Sequence, residues 1–296
     1  MRRFKTLGLA LVAVLATGAA AVGSASAEAS SAAPIAAGSG YLALGDSVPF
    51  GYIESGAVPA PNYHLASGFV GYPELVAKAL GLDAENASCP GETTASFINP
   101  SAQSLGCENE VAGTPAAGAY RVRYPLHVSY TGSQLGYALT YLSTHQNVSL
   151  VSLMIGANDF FLCVIATRDG CERPAELRAV VAKVKRNVSN ILSAIRTTAD
   201  YQGTLVIVNY YSLNYASMEE NEFSNTVNRT VDTAASPFHV VIADGYGVLK
   251  AASEHAHGNT CAAGLLVRLR HGKCGIHPSR KGQMLLAKSV EEAIGH

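Results

Sequence analysis

After residue 40 the sequence alternates strand-like and helix-like segments, and this alternation narrows the fold more than any other feature. It is the pattern of a parallel sheet covered by helices on both faces. Tyr41-Leu42-Ala43-Leu44 is a short apolar strand that runs into Gly45-Asp46-Ser47. Gly71 to Gly81 carries Tyr72, Leu75, Val76, Ala79 and Leu80 at helical spacing and ends at a glycine, as helices often do. A second strand spans Asp83 to Ser88 and leads into Cys89-Pro90-Gly91. Ser133 can cap a helix that reaches His145, with Leu135, Leu139 and Leu142 on one side. Val148 to Ile155 is the strongest buried strand and stops at Gly156-Ala157-Asn158-Asp159. Pro174 to Tyr201 reads as a long amphipathic helix with proline in its first turn. A strand at Thr204 to Val208, a helix at Ser217 to Ala235, a strand at Phe238 to Ala243 and a closing helix at Ser279 to Ile294 complete the pattern. Residues 98 to 132, with many Gly, Pro and Ser, are the least regular part and are expected to form a surface excursion near the site. No internal repeat or domain linker interrupts the series.

The 296 residues suit one medium-sized catalytic domain, and a hydrophobic fraction of 48% with 15% charged residues describes a chain that buries a core. Formal net charge is -1, with no basic run beyond the extreme N-terminus, so nothing electrostatic points to nucleic acid or an anionic membrane. A small or neutral substrate is the expected partner, and a monomer the expected state. Arg2, Arg3 and Lys5 precede an apolar run from Leu7 to about Val22, followed by Ala25-Ser26-Ala27. This is the layout of a bacterial export signal with its small-residue cleavage site. The expected organisation is therefore a signal peptide over residues 1–27, a flexible leader over 28–40 and a single domain over 41–296, secreted to the extracellular space. Sequons at Asn86, Asn147, Asn187 and Asn228 are read as coincidental in such a host.

Six cysteines in an exported chain form an even set of three local couples: Cys89 with Cys107, Cys163 with Cys171, and Cys261 with Cys274. Fifteen connectivities are possible for six cysteines. Sequential pairing is expected, each bridge contributing ~2–4 kcal/mol through the unfolded state. No C-x-x-C occurs and no second histidine sits at ligand spacing, so no metal is expected.

Ligands of open parallel sheets gather outside the carboxyl ends of the strands. Four such positions carry polar or glycine signatures here. Ser47 lies where a strand breaks into a turn, with Gly51 four residues on; Gly91 follows the second strand; Asn158 follows the third; and His277 precedes the last helix. Taken singly, each is weak, because a serine after a strand is more often a cap or turn residue than a nucleophile.

In order and spacing, however, the four resemble the sequence blocks of the SGNH hydrolases, also called GDSL lipases. Tyr41-Leu42-Ala43-Leu44-Gly45-Asp46-Ser47 with Gly51 is similar to the nucleophile block, and Asn86-Ala87-Ser88-Cys89-Pro90-Gly91-Glu92-Thr93-Thr94 to the glycine block. Gly156-Ala157-Asn158-Asp159 resembles the G-x-N-D block, and His277-Pro278-Ser279 with Gly282 the histidine block. The resemblance implies a three-layer α/β/α sandwich of the flavodoxin-like kind and a cofactor-free serine esterase or lipase. Ser47 would be the nucleophile and His277 its general base, later the acid toward the leaving alcohol. The backbone N–H groups of Ser47 and Gly91 and the carboxamide of Asn158 would form the oxyanion hole, with glycine suited to close approach of substrate.

One position departs from the family. The aspartate usual three residues before the histidine is Cys274 here, and neither Gly275 nor Ile276 can replace it. The expectation is a Ser47–His277 dyad whose imidazole Nδ1–H is held by a main-chain carbonyl of the His271 to Gly275 loop; an acid at Asp244 or Glu254 is the other option. Asp46 and Asp159 are expected to shape their turns rather than to move protons. His255 and His257 are taken as exposed surface residues. The reaction class is carboxylic ester hydrolysis through an acyl-enzyme on a small-molecule or lipid ester, without stable membrane insertion. Loops 53 to 68 and 98 to 132 would set substrate size. A carbohydrate acetyl esterase is the nearest enzyme alternative, and a catalytically silent glycan-binding module the alternative of another class.

Overall fold

The structure, a computed structural model, describes residues 35–109 and 118–296. The expected signal peptide and most of the leader lie outside the described residues. The last leader residues are tied to the body: Gly38 N–H donates to Gly81 O at 2.7 Å, and Gly40 opens the first strand.

Five strands, β1 (Gly40–Gly45), β2 (Asp83–Asn86), β3 (Val148–Met154), β4 (Thr204–Val208) and β5 (Val241–Ala243), form one sheet in the order β2-β1-β3-β4-β5. Every pairing in it is parallel. β1 and β3 are central strands packed on both faces, which is why they read as continuous apolar runs. All six residues of β1 are buried, as are Leu150, Val151, Leu153 and Met154 of β3. The chain winds outward in both directions from β1 and β3, so the crevice between their carboxyl ends is the topological switch point where such sheets bind ligands.

Among the described residues ten helices follow in chain order: α1 (Ser47–Phe50), α2 (Tyr72–Leu80), α3 (Thr94–Ile98), α4 (Tyr120–Arg123), α5 (Gln134–Thr144), α6 (Ala157–Ala166), α7 (Pro174–Ser193), α8 (Met218–Ala235), α9 (Gly245–Ser253) and α10 (Arg280–Ala293). α2 and α9 both pack on α10 as one layer, while α3, α5, α6, α7 and α8 pack together as the other. The stripe Val180, Val184, Val188 and Ile191 shows how this works, since spacings of four and three put all of them on the buried side of α7. Each such side chain contributes about 1.5–3 kcal/mol by leaving water.

The structure departs from the sequence reading at several places. α7 ends at Ser193 and passes through a single π turn, Ala194–Thr198, instead of running regularly to Tyr201. The last strand of the sheet is only Val241–Ala243, because Pro237 turns Ser236–Phe238 into a 3₁₀ turn. A two-stranded antiparallel hairpin, β6 (Leu266–Arg268) and β7 (Cys274–Pro278), stands apart from the main sheet and was not anticipated.

The disulfides are Cys89–Cys107, Cys163–Cys171 and Cys261–Cys274, with Cα atoms 5.7, 5.4 and 5.8 Å apart. Two of the sequons are structural: Asn86 and Asn228 are buried, and Asn228 holds both the N–H and the carbonyl of Tyr210 at 2.8 Å. Among the described residues, no helix is long and apolar enough to cross a membrane.

Candidate active site

At the end of β1 the chain breaks directly into the four-residue helix α1, and Asp46 caps it by accepting the Val48 N–H at Oδ1, 3.0 Å away. Ser47 is the first residue of this helix. Two buried glutamines hold the strand-to-helix junction from either side. Gln134 accepts from Gly45 N–H at 2.6 Å and donates to Gly45 O at 3.0 Å. Gln283, on α10, donates to Val48 O at 3.0 Å and accepts from Tyr72 N–H at 2.9 Å. Ser47 therefore sits on backbone fixed by long-range contacts.

His277 comes to it from β7, 230 residues away in sequence, with Nε2 2.8 Å from Ser47 Oγ. The opposite ring nitrogen decides how the imidazole is held. Nδ1 lies 2.8 Å from Glu54 Oε1, so a carboxylate orients the ring and the expected main-chain carbonyl of the 271–275 loop does not. Asp244 instead caps α9 through the Gly247 N–H, and Glu254 is exposed at the start of a 3₁₀ turn, so neither faces His277. A carboxylate can only accept, which places the hydrogen on Nδ1 and leaves a lone pair on Nε2 toward the serine. Glu54 Oε1 also accepts the backbone N–H groups of Ile276 at 2.7 Å and His277 at 3.0 Å. Partial burial pushes the Glu54 carboxyl up, but its hydrogen bonds and charge interaction with His277 prevail and hold it below the ordinary glutamate value.

Such close docking of a carboxylate on a strand requires a missing side chain. A Cβ at Gly275 would lie 2.0 Å from Glu54 Oε1 and 2.2 Å from its Cδ. Gly275→Ala is therefore expected to push the carboxylate off the imidazole and lower kcat roughly 10–100-fold, as a misplacement of about 1 Å can. Steady-state kinetics beside a thermal melt checks this; unchanged kcat in a folded variant would mean that the contact is dispensable.

The remaining donors converge on the same crevice. Asn158 opens α6 after β3, and its Nδ2 donates to Glu92 O at 2.9 Å and lies 3.5 Å from Asp46 Oδ2, so it bridges the serine and glycine segments. Asp159 accepts Thr94 N–H at 2.8 Å and Thr94 Oγ1–H at 2.9 Å, tying α6 to the start of α3. Gly91 has φ +86°, and a Cβ there would meet Leu105 O at 2.4 Å. Glycine is thus demanded by the turn packed behind it, in addition to any need for close approach by substrate. Among the described residues, the main-chain N–H groups of Ser47 and Gly91 donate to no protein acceptor. His255 and His257 are exposed and stand outside this constellation.

Asp46 is 1% exposed, and burial pushes its carboxyl up to about 6, even though Tyr210 Oη–H and the Val48 N–H donate to it. The unfolded chain releases this proton near 3.8, so the folded protein binds it more tightly. That preference favours folding below about pH 4 and is lost as pH rises through about 6. Asp46→Asn should remove the dependence. The stability difference between native protein and variant is expected to move toward the variant by on the order of 3 kcal/mol between about pH 4 and pH 8 in denaturant melts. A difference that stays flat with pH would show that Asp46 ionises as if exposed.

Beside the histidine, Tyr52 packs edge-on against the His277 ring with centroids 4.9 Å apart. Behind it stand Phe50, Phe69 and Tyr120, buried together, with Tyr63 and Tyr124 at their margin. The two irregular loops expected to set substrate size thus meet in one aromatic cluster that touches the His277 ring.

Glu54 is the residue that sequence reasoning missed. It is the one carboxylate between Ser47 and the helix that starts at Tyr72, and that lone acid on the loop leaving Ser47 was the available signal.

Comparison with known proteins bears on the fold and the family. No curated protein matches the chain. A phospholipase A1 from Streptomyces albidoflavus superposes with a TM-score of 0.53 at 19% identity, covering 87% of this chain and 100% of the other. An acetylxylan esterase from Geobacillus stearothermophilus, solved as a catalytic mutant, gives 0.52 at 16% identity, covering 88% and 96%. An alpha/beta hydrolase enzyme from the metagenome of Lake Arreo gives 0.52 at 16%, again over 88% and 96%. At such identities these structures establish the shared fold. The GDSL-like lipase/acylhydrolase family model matches residues 43–285, from within β1 to within α10 and so across all four segments of the crevice, and the chain belongs to that family.

Proposed function

We propose that the protein is a secreted carboxylic ester hydrolase that works through an acyl-enzyme at Ser47, with His277 as acid-base and Glu54 as the group that orients and charges it. The observation that carries the reading is the unbroken line of contacts Glu54 Oε1, His277 Nδ1, His277 Nε2 and Ser47 Oγ, each step 2.8 Å. In the first half-reaction Nε2 takes the Ser47 proton as Oγ attacks the ester carbonyl, and Glu54 stabilises the imidazolium that forms. The carbonyl oxygen becomes an oxyanion facing the N–H groups of Ser47 and Gly91 and the Asn158 carboxamide, each donor supplying ~2.7–4 kcal/mol of transition-state stabilisation. Collapse returns the proton from Nε2 to the leaving alcohol. Water, activated by the same nitrogen, then releases the acid and restores the serine.

A carboxylate on His277, Glu54 Oε1 at 2.8 Å from Nδ1, supports the hydrolase over a silent glycan-binding module. Three disulfides suit an oxidising exterior and support export, as does the signal-like N-terminus. Substrate class is tested with p-nitrophenyl esters of graded chain length beside acetylated xylan. Turnover of the esters, with a maximum at one acyl length, is expected; a folded protein that cleaves none of the panel would overturn the proposal.

A further inference from the structure

The hairpin that presents His277 carries a second feature that the proposed reaction does not use. Arg268, Arg270 and Lys273 fall within six residues, all exposed, and no aspartate or glutamate occurs between Glu254 and Glu291. Among the described residues, none of the three makes an ion pair. Their spacing, R-x-R-x-x-K, is not a run in sequence, and only the turn of the hairpin concentrates it.

An uncharged apolar edge lies directly against these cations. Residues 56–58 line up antiparallel beside the hairpin: Ala57 bridges Leu269, Val58 N–H donates to Arg268 O at 3.0 Å, and Arg270 N–H donates to Gly56 O at 3.0 Å. The chain then continues as Val58-Pro59-Ala60-Pro61, with the Val58 side chain 60% exposed. Ile276, adjacent to the catalytic histidine, is 44% exposed. Glu54 and His277 both belong to this ribbon, so whatever it touches is brought to the mouth of the site.

We propose that this ribbon, residues 56–61 with the β6–β7 hairpin, docks the protein peripherally on an anionic lipid surface. Arg268, Arg270 and Lys273 meet the headgroups, and Val58, Pro59 and Ile276 enter the interface. Two observations choose this partner. Unpaired cations in a chain of net charge -1 set up a local field that anions, rather than neutral surfaces, complement. Exposed aliphatic groups beside them gain from leaving water at a lipid boundary, a gain that a hydrated polyanion does not offer. The docking stands on the surface alone, and only its use in delivering lipid esters rests on the ester-hydrolase reading.

The test is cosedimentation of the protein with vesicles of phosphatidylglycerol and phosphatidylcholine in equal parts, against phosphatidylcholine alone, at low and high salt. Binding to the anionic vesicles that weakens with salt is expected. The triple variant Arg268→Gln, Arg270→Gln, Lys273→Gln should lose roughly a hundredfold in affinity, given the usual attraction of each cation to such a surface. Its hydrolysis of a water-soluble short-chain ester should match the native rate, which also shows that it folds. Equal affinity for both vesicle types, or a triple variant that binds like the native protein, would overturn the docking. So would binding to polygalacturonate without binding to vesicles, which assigns the patch to an acidic polysaccharide. Vesicle binding by a protein that cleaves no ester supports the docking and removes the hydrolase reading instead.

Discussion

Ser47→Ala is expected to lower kcat/KM toward a p-nitrophenyl ester by on the order of 10⁶-fold and to abolish labelling by a fluorophosphonate probe. The magnitude follows from what the hydroxyl does. In the proposed reaction it supplies the electrons that form the acyl bond, from an α1 junction that Gln134 and Gln283 clamp. What survives in the variant is the water reaction assisted by the oxyanion donors and by binding. The packing cost is small, since Ser47 is a half-buried first residue of a short helix and the cap comes from Asp46. A folded Ser47→Ala protein that still labels would place the nucleophile elsewhere.

Glu54→Gln carries the second largest effect, an expected fall of about 10³–10⁴ in kcat with little change in KM. The substitution keeps shape and burial while removing the negative charge. A glutamine can turn an N–H₂ toward Nδ1, which favours the tautomer whose proton sits on Nε2, where it can no longer accept from the serine. The imidazolium formed on attack also loses its counter-charge in a site where it has little access to water. Since Glu54 is held below the ordinary glutamate value, the native enzyme keeps this charge into mildly acidic solution. Asp244→Asn and Glu254→Gln should stay within about twofold of native, because neither side chain approaches His277. A loss under tenfold in Glu54→Gln would return the orienting role to the backbone.

The parts of the fold that were legible are those whose signals are local. β1 and β3 show as apolar runs bounded by glycine, and the helix from Gln134 is announced by Ser133, whose Oγ does accept Gly136 N–H at 3.0 Å. α6 was invisible because Ala157-Asn158-Asp159-Phe160-Phe161-Leu162 has polar residues only in its first turn, so no periodic polar face marks a helix. The β6–β7 hairpin carries the turn at His271 and Gly272, but its strands are too short for alternation to register. Within the site, Ser47, Gly91, Asn158 and His277 are weak signals singly and became candidates only through their resemblance, in order and spacing, to the four family blocks. Glu54 did not, since its contact with His277 spans 223 residues and depends on the space left by Gly275. Its being the lone acid on the loop after Ser47 is the one local hint, and it does not say that a strand from the far end of the chain closes over it.

The relay from Glu54 through His277 to Ser47 is tested most directly by the low-field proton NMR spectrum of the resting protein. A hydrogen-bonded imidazole Nδ1 proton is expected there in the native protein, retained in Ser47→Ala and shifted upfield or lost in Glu54→Gln. The same resonance, unmoved when Glu54 is neutralised, would show that another acceptor holds the ring and would contradict the account.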